Sequence, residues 1–521
     1  MLAAVMATAA LGLAIVTQDQ TPLRAAPTSP TTTQALLWPG DVVEVRGERL
    51  DHLQVYDHQR ERAGFVRATQ LRPLGLQEAD APALLAVLRF LRDTPGAEPL
   101  GLAYAAAYLK AAPASAINAE PFDALGGMAE RLARRASSRS GKGSDTVAAH
   151  LEVAARHGVK FSSFERDGAM QLCYDGEAFR RVLALPAQAE QMARAALALT
   201  RHDCIDPQLP ASQKQQLDRW RAEVLERVTP AITTALSEPT RNRLRLRRAG
   251  VLSALALAQA MVQARGGAAG AAGAAGAQTS ARRAVAELAA INKSELTDDD
   301  QAEYAEAAVR VGAARWAAEP ATAPATPAAP TAASRVAVHT QLGEPGQTCV
   351  LLTDASHGPK TLPQTPLQTP PQTVPQTVPQ TVSQTLSQTP LLRRCTYASV
   401  WPASARLSPD GRTLVLAVQP LESWLELWVF RAGATGWQLD VLPPAATDPG
   451  LGYVEFAGWV PGGTQMLLAR EARVEGRMRR SFELLDLDTL NVARQAAAPQ
   501  SLTPFYRWQD PLWKQQTVSL R

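Results

Sequence analysis

The sequence predicts a multidomain α+β protein: a small β-barrel, a large mainly α-helical domain carrying a β-hairpin, and a C-terminal antiparallel β region of two repeats. Three observations carry this reading. Short runs rich in β-branched residues, split by charged turns, occupy Trp38 to Leu74. From Gln77 to Trp316 apolar residues recur at helical spacing. Near the C-terminus Ser408-Pro409-Asp410-Gly411-Arg412-Thr413-Leu414-Val415-Leu416-Ala417 returns as Val460-Pro461-Gly462-Gly463-Thr464-Gln465-Met466-Leu467-Leu468-Ala469. Pro-Asp-Gly and Pro-Gly-Gly preset the φ values of a tight turn, and the apolar run after each reads as a buried strand. With 521 residues, 46% of them hydrophobic, the chain can bury several cores. The expected segments are a signal peptide and linker over 1–34, the barrel over 35–75, and a helical domain over 76–318 with a flexible Gly/Ala loop at 266–277. A linker over 319–335 and a β-repeat domain over 336–521 follow, the latter interrupted by a disordered Pro/Gln/Thr insert at 361–391.

Met1 to Val16 is almost wholly apolar and precedes the polar, Pro-rich stretch Thr17 to Thr33. That length suits a signal-peptide h-region better than a membrane span of about 20 residues. No basic n-region precedes it, and Ala25 and Ala26 supply small residues for cleavage. An uncleaved N-terminal anchor is the alternative, and membrane association is expected only in that case. The cysteines, Cys173, Cys204, Cys349 and Cys395, have no CxxC spacing, so behind an export signal they predict disulfides rather than zinc ligands. Nearest-neighbour pairing, Cys173 with Cys204 and Cys349 with Cys395, is the simplest arrangement; four buried free thiols are the alternative. The expected location is periplasmic or secreted.

In the barrel segment the strand runs are Asp41 to Val45, Leu53 to Tyr56 and Gly64 to Val66. Gly40-Asp41-Val42-Val43 and Gly64-Phe65-Val66-Arg67, running on to Leu71, make this segment resemble bacterial SH3-like domains. The resemblance implies a small barrel that binds cell-wall peptide or a protein partner, or that serves as a structural appendage. Trp38, Tyr56 and Phe65 are the candidate ligand-binding residues, with a role as the barrel's core as the alternative.

Leu84, Leu85, Leu88 and Leu91 open the helical segment, and Leu100 to Ala112 continues it up to Pro113. Ser144 or Asp145 caps a helix running to His157, stopped by Gly158. Arg166-Asp167-Gly168 marks the hairpin. A long helix from Glu177 to Cys204, kinked at Pro186, is expected next, then helices over 213–228, 244–262, 281–291 and 298–316. Asp298, Asp299 and Asp300 follow Thr297 in a first turn, where carboxylates favour the helix dipole.

Each C-terminal repeat has a second half, Leu425 to Phe430 echoed by Phe482 to Leu487. At these residues the chain resembles the WD-repeat-like blades of exported Tol-associated propellers, in which Ser-Pro-Asp-Gly recurs. The resemblance implies a binding or structural module. Two blades, with partial strands at Val336 to Leu352, are too few for a closed propeller of about four to eight.

A net charge of +4 and the lack of a basic, aromatic-interleaved segment argue against a nucleic-acid partner. Asp354-Ala355-Ser356-His357-Gly358 puts Asp where a nucleophile elbow needs Gly. Gly141-Lys142-Gly143-Ser144 departs from the phosphate-loop pattern. His150 and His157 share a helix face without a completing ligand set, and His202-Asp203-Cys204 reads as local structure. No catalytic residue, metal ligand or cofactor is assigned. The expectation is a non-enzymatic exported protein that binds a protein or cell-wall peptide at the bacterial envelope, with an envelope hydrolase or peptidase using helical-domain residues as the alternative.

Overall fold

The last five residues of the N-terminal apolar run, Gly12–Val16, fold as a strand. The computed structural model describes residues 12–27, 32–138, 144–166, 168–264, 270–318, 336–354, 390–446 and 449–518. It has helices and several antiparallel sheets and divides into two compact units, Met1–Leu244 and Arg245–Arg521. The expected linker 319–335, most of the Pro/Gln/Thr insert, Ser356, His357 and Lys142 lie outside the described residues.

In the first unit, β1 (Gly12–Val16), β2 (Thr21–Arg24), β3 (Thr33–Leu37), β4 (Val42–Arg49), β5 (His52–Asp57), β6 (Arg62–Arg67) and β7 (Leu71–Leu74) form one sheet in the order β3-β2-β6-β5-β4-β1-β7. This corrects two expectations. The sheet is open, with β3 and β7 at its edges, rather than a closed barrel, and it starts at Gly12 rather than at residue 35. Ala14 and Val16 face a core with Leu23, Val43, Val55 and Val66, while Leu13 and Ile15 face helices through Leu84, Tyr104 and Tyr108. A strand buried on both faces reads as a continuous apolar run, which is why this one resembles an h-region. The segment expected as signal peptide and linker therefore supplies two strands and the start of a third.

The helices of this unit are α1 (Ala81–Leu91), α2 (Glu98–Ala111), α3 (Ala119–Ser137) and α4 (Ser144–Arg156), followed by the hairpin β8 (Phe161–Arg166) and β9 (Ala169–Tyr174). Then come α5 (Glu177–Ala184), α6 (Ala189–Leu199), α7 (Ala211–Glu226) and α8 (Pro230–Thr234). The single helix expected from Glu177 to Cys204 is thus two. Pro186 forces its predecessor Leu185 into an extended conformation (ψ 159°), which ends α5. Cys173 and Cys204 are disulfide-bonded, tying β9 to the segment after α6.

The boundary between the units falls within α9 (Glu238–Ala264), so the stretch 76–318 is not one body. In the second unit α10 (Gly270–Ala289) and α11 (Asp298–Ala314) follow. The Gly/Ala stretch expected as a flexible loop is helical from Gly270 onward, because Ala277 and Ala281 are buried against α9 and α11. Thr297 caps α11, its hydroxyl oxygen accepting the Asp300 N–H.

The β region begins with β10 (Val336–Leu342), β11 (Thr348–Asp354) and β12 (Leu392–Thr396), a three-stranded sheet in which Cys349 and Cys395 are bonded across the two ends of the insert. Next, β13 (Ser399–Leu407), β14 (Thr413–Leu421), β15 (Trp424–Gly433) and β16 (Gly436–Leu442) form one antiparallel meander. A second comprises β17 (Gly452–Trp459), β18 (Gln465–Val474), β19 (Arg477–Asp486) and β20 (Val492–Ala496). A short parallel pairing of Trp424 and Leu425 with Gly452 and Tyr453 joins them. The duplicated turns repeat in detail: Gly411 (φ 70°) and Gly463 (φ 73°) each return an N–H to the carbonyl of Ser408 or Val460.

The meanders stack face to face through Val415, Leu427 and Val429 on one and Val454, Met466 and Leu468 on the other. The outer face of the first, at Leu414 and Leu416, is covered by Val350 and Leu352 of the three-stranded sheet. The outer face of the second, at Leu467 and Phe482, is covered by Phe505 of α12 (Thr503–Trp508) and Trp513 of α13 (Pro511–Val518). Helices α9–α11 pack on both meanders through Trp401, Ala417, Leu425 and Tyr453.

Candidate functional site

Alternation along β4 and β5 puts Val43, Val45 and Val55 into the core and turns Glu44, Arg46, Gln54 and Tyr56 to the other face. Glu44 lies directly across from Tyr56, and Phe65 on β6 lies across from both Gln54 and Arg24 of β2. Tyr56 and Phe65 are therefore diagonal neighbours on one half-buried face, as cross-strand geometry allows for aromatic rings. The Arg46 guanidinium sits 4.0 Å from the Tyr56 ring centre, and the His58 ring meets Tyr56 edge-on at 4.8 Å. Glu44 accepts hydrogen bonds from Arg46 (3.1 Å) and His58 (2.8 Å), and these hold its carboxyl below the ordinary range. This face therefore carries Tyr56 beside Arg46, His58 and Glu44, with Phe65 diagonal to it across β5 and β6.

Trp38 does not join it. The turn Trp38-Pro39-Gly40-Asp41 is closed by the Asp41 N–H to the Trp38 carbonyl, with Gly40 at φ 94° in the position a type II turn reserves for Gly. Its ring lies edge-on against His150 of α4 at 6.0 Å. A side chain at Gly40 would come within 2.6 Å of the Pro99 carbonyl oxygen and 2.8 Å of Val153, so this turn lies tight against α2 and α4. None of the three aromatics belongs to the sheet's aliphatic core.

His150 and His157 both face that turn. The His157 Nε2–H donates to the Gly40 carbonyl (2.9 Å), and burial lowers the pKa of the ring. Arg135 donates to His150 Nδ1 (2.7 Å), and because a guanidinium can only donate, Nδ1 accepts and Nε2–H donates to Asp19 (2.6 Å). Arg135 also binds the buried Glu98 at 2.8 Å. Asp41 accepts from Arg156, from Arg60 and from the Trp38 N–H. These groups join sheet to helix; among the described residues no His, Cys, Asp or Glu cluster is arranged to hold a metal ion. At His202-Asp203-Cys204 the His202 carbonyl accepts from Arg166, Asp203 binds Arg201, and Cys204 is in the disulfide.

Sequence reading named Tyr56 and Phe65 as candidates but not Arg46, Glu44 and Gln54, which share their face. The strict alternation Val43-Glu44-Val45-Arg46 is the signal that could have placed them on the same face. No helix among the described residues is long and apolar enough to cross a membrane. Comparison with protein families, with characterised proteins and with solved structures finds no match for the chain.

Proposed function

We propose that the protein is a non-enzymatic, exported binding or scaffolding module of the bacterial cell envelope. In this reading the N-terminal sheet is an SH3-like module that engages a protein or cell-wall peptide, and the C-terminal meanders are blade-like repeats. The observation that carries it is the Tyr56–Phe65 face: two half-buried aromatic residues outside the core, diagonal across β5 and β6, with Arg46 over the Tyr56 ring and Arg24 across the strand from Phe65. Rings of this kind give large contact area at small entropic cost, and the guanidinium groups suit carboxylates along a peptide. Two disulfides fit an oxidising compartment, which supports a periplasmic or secreted location.

The test uses the full chain, since β1 and β2 complete the sheet. Purified cell-wall peptide fragments should bind it saturably, and a Tyr56→Ala, Phe65→Ala double variant should bind at least about tenfold more weakly while keeping a cooperative unfolding transition above the assay temperature. Equal binding by the variant, or no binding by the wild type, contradicts the reading. Turnover of the fragments favours a hydrolase instead.

A further inference from the structure

A second concavity lies in the first unit, between the hairpin, α5, the end of α6 and α7. It is a cavity of about 280 Å³. Small-molecule sites run from about 300 Å³ upward, so this one suits a ligand of one or two amino acids rather than a folded domain or a glycan chain.

Its lining has two kinds of surface. Tyr174, Phe179, Leu199, Leu217 and Trp220 make an apolar and aromatic wall. Against it stand two guanidinium groups, Arg180 and Arg201, and two carboxylates, Glu130 and Asp175. The charges balance within the lining. Arg201 is buried and held by Asp203 (2.9 Å) and Glu130 (3.3 Å). Arg180, at the rim, donates to the Asp175 carbonyl (2.9 Å) and to Glu177 (3.3 Å). A ligand of net charge would upset this balance, whereas one carrying both an ammonium and a carboxylate complements both signs.

The rest of the lining is preorganised. The Tyr174 hydroxyl accepts the Ala178 N–H at 2.8 Å, which leaves its own proton to be donated, and burial pushes its pKa up to about 12, so it stays a donor at every physiological pH. Gly176 (φ 82°) lets the chain turn into α5 where a side chain would strike Leu199 at 2.4 Å. The Cys173–Cys204 disulfide, also in the lining, holds the segment carrying Arg201 against β9.

We infer that this cavity binds a small zwitterion of amino-acid or dipeptide size, its apolar side chain against Trp220 and Phe179, its carboxylate at Arg180 and its ammonium at Asp175 and Glu130. The site is separate from the Tyr56–Phe65 face and does not depend on it. Calorimetric titration of the full chain with phenylalanyl-alanine, with its N-acetyl form and with its C-terminal amide tests this. Saturable binding of the free dipeptide is expected, with each blocked form at least about tenfold weaker. Trp220→Ala and the surface change Arg180→Gln should each weaken the dipeptide by a similar factor, and the Arg180 variant should keep the wild-type melting temperature. No saturable binding at millimolar dipeptide, equal binding of the blocked forms, or wild-type affinity in the Arg180 variant would each overturn the inference. The Tyr56→Ala, Phe65→Ala protein should bind the dipeptide as the wild type does.

Discussion

In the first unit α4 meets the sheet through charge and hydrogen bonds: Arg156 to Asp41, His157 to the Gly40 carbonyl, and the chain Glu98, Arg135, His150, Asp19. In the second unit α9–α11 meet the meanders through Ala256, Ala281, Ala313 and Ala314 packed on Trp401 and Tyr453. One buried ion pair, Arg315 with Glu455, is set into that apolar surface. Small side chains let helices lie close to aromatic residues, so this joint depends on volume and on keeping its buried pair intact. The polar joint depends instead on protonation state. The contrast teaches that the α4 contact is tuned by titratable groups and the α9–α11 contact by shape, as is the apolar contact of α1 and α2 with β1.

The largest effect expected from breaking this contrast is at the buried pair. Glu455 is 2% exposed and also accepts the Trp513 indole N–H at 2.7 Å. Arg315→Met leaves that carboxylate without its cation, which should cost about 3–5 kcal/mol in the unfolding of the second unit and leave the first unit's transition in place. Scanning calorimetry on the full chain reads both. A shift of the first unit's transition instead would mean the two joints are not independent.

A smaller effect sharpens the polar side. Burial lowers the His157 pKa from the ordinary 6.5, with Gly40 and Asp41 acting to raise it and Arg156 to lower it. The folded state then holds fewer protons than the unfolded state as pH falls from about 6.5 to the folded pKa, so stability is full above that window and declines through it. His157→Gln keeps a donor for the Gly40 carbonyl and removes the titration. It should flatten the loss of stability between neutral and mildly acidic pH in the first unit, measured by denaturant melts across pH, while the second unit's profile stays as in the wild type.

Much of the β framework was legible. Gly40-Asp41 marks the start of β4 because turn chemistry is local, Gly64-Phe65-Val66 falls within β6, and the Ser408 and Val460 repeats returned as equivalent meanders. The disulfide pairing followed from proximity along the chain. What escaped reading depends on tertiary contact. Ala14, Ile15 and Val16 are apolar on both faces, so no alternation betrays a strand. In α10 the residues buried against α9 and α11 include Ala277 and Ala281, side chains too small to stand out as a hydrophobic stripe. Of the candidate site, Tyr56 and Phe65 share a face as the strand period dictates, but Trp38 is drawn to His150, more than a hundred residues away in sequence. The covering of Leu414 by the three-stranded sheet and of Leu467 by α12–α13 was likewise beyond local patterning.

The central claim is that the β4–β6 face is a peptide-binding surface. Hydrogen–deuterium exchange of the full chain, with and without saturating cell-wall peptide fragment, tests it most directly. The account predicts slowed exchange concentrated in residues 44–66, which hold Arg46, Tyr56 and Phe65. Unchanged exchange there, or protection confined to the C-terminal meanders, would contradict it.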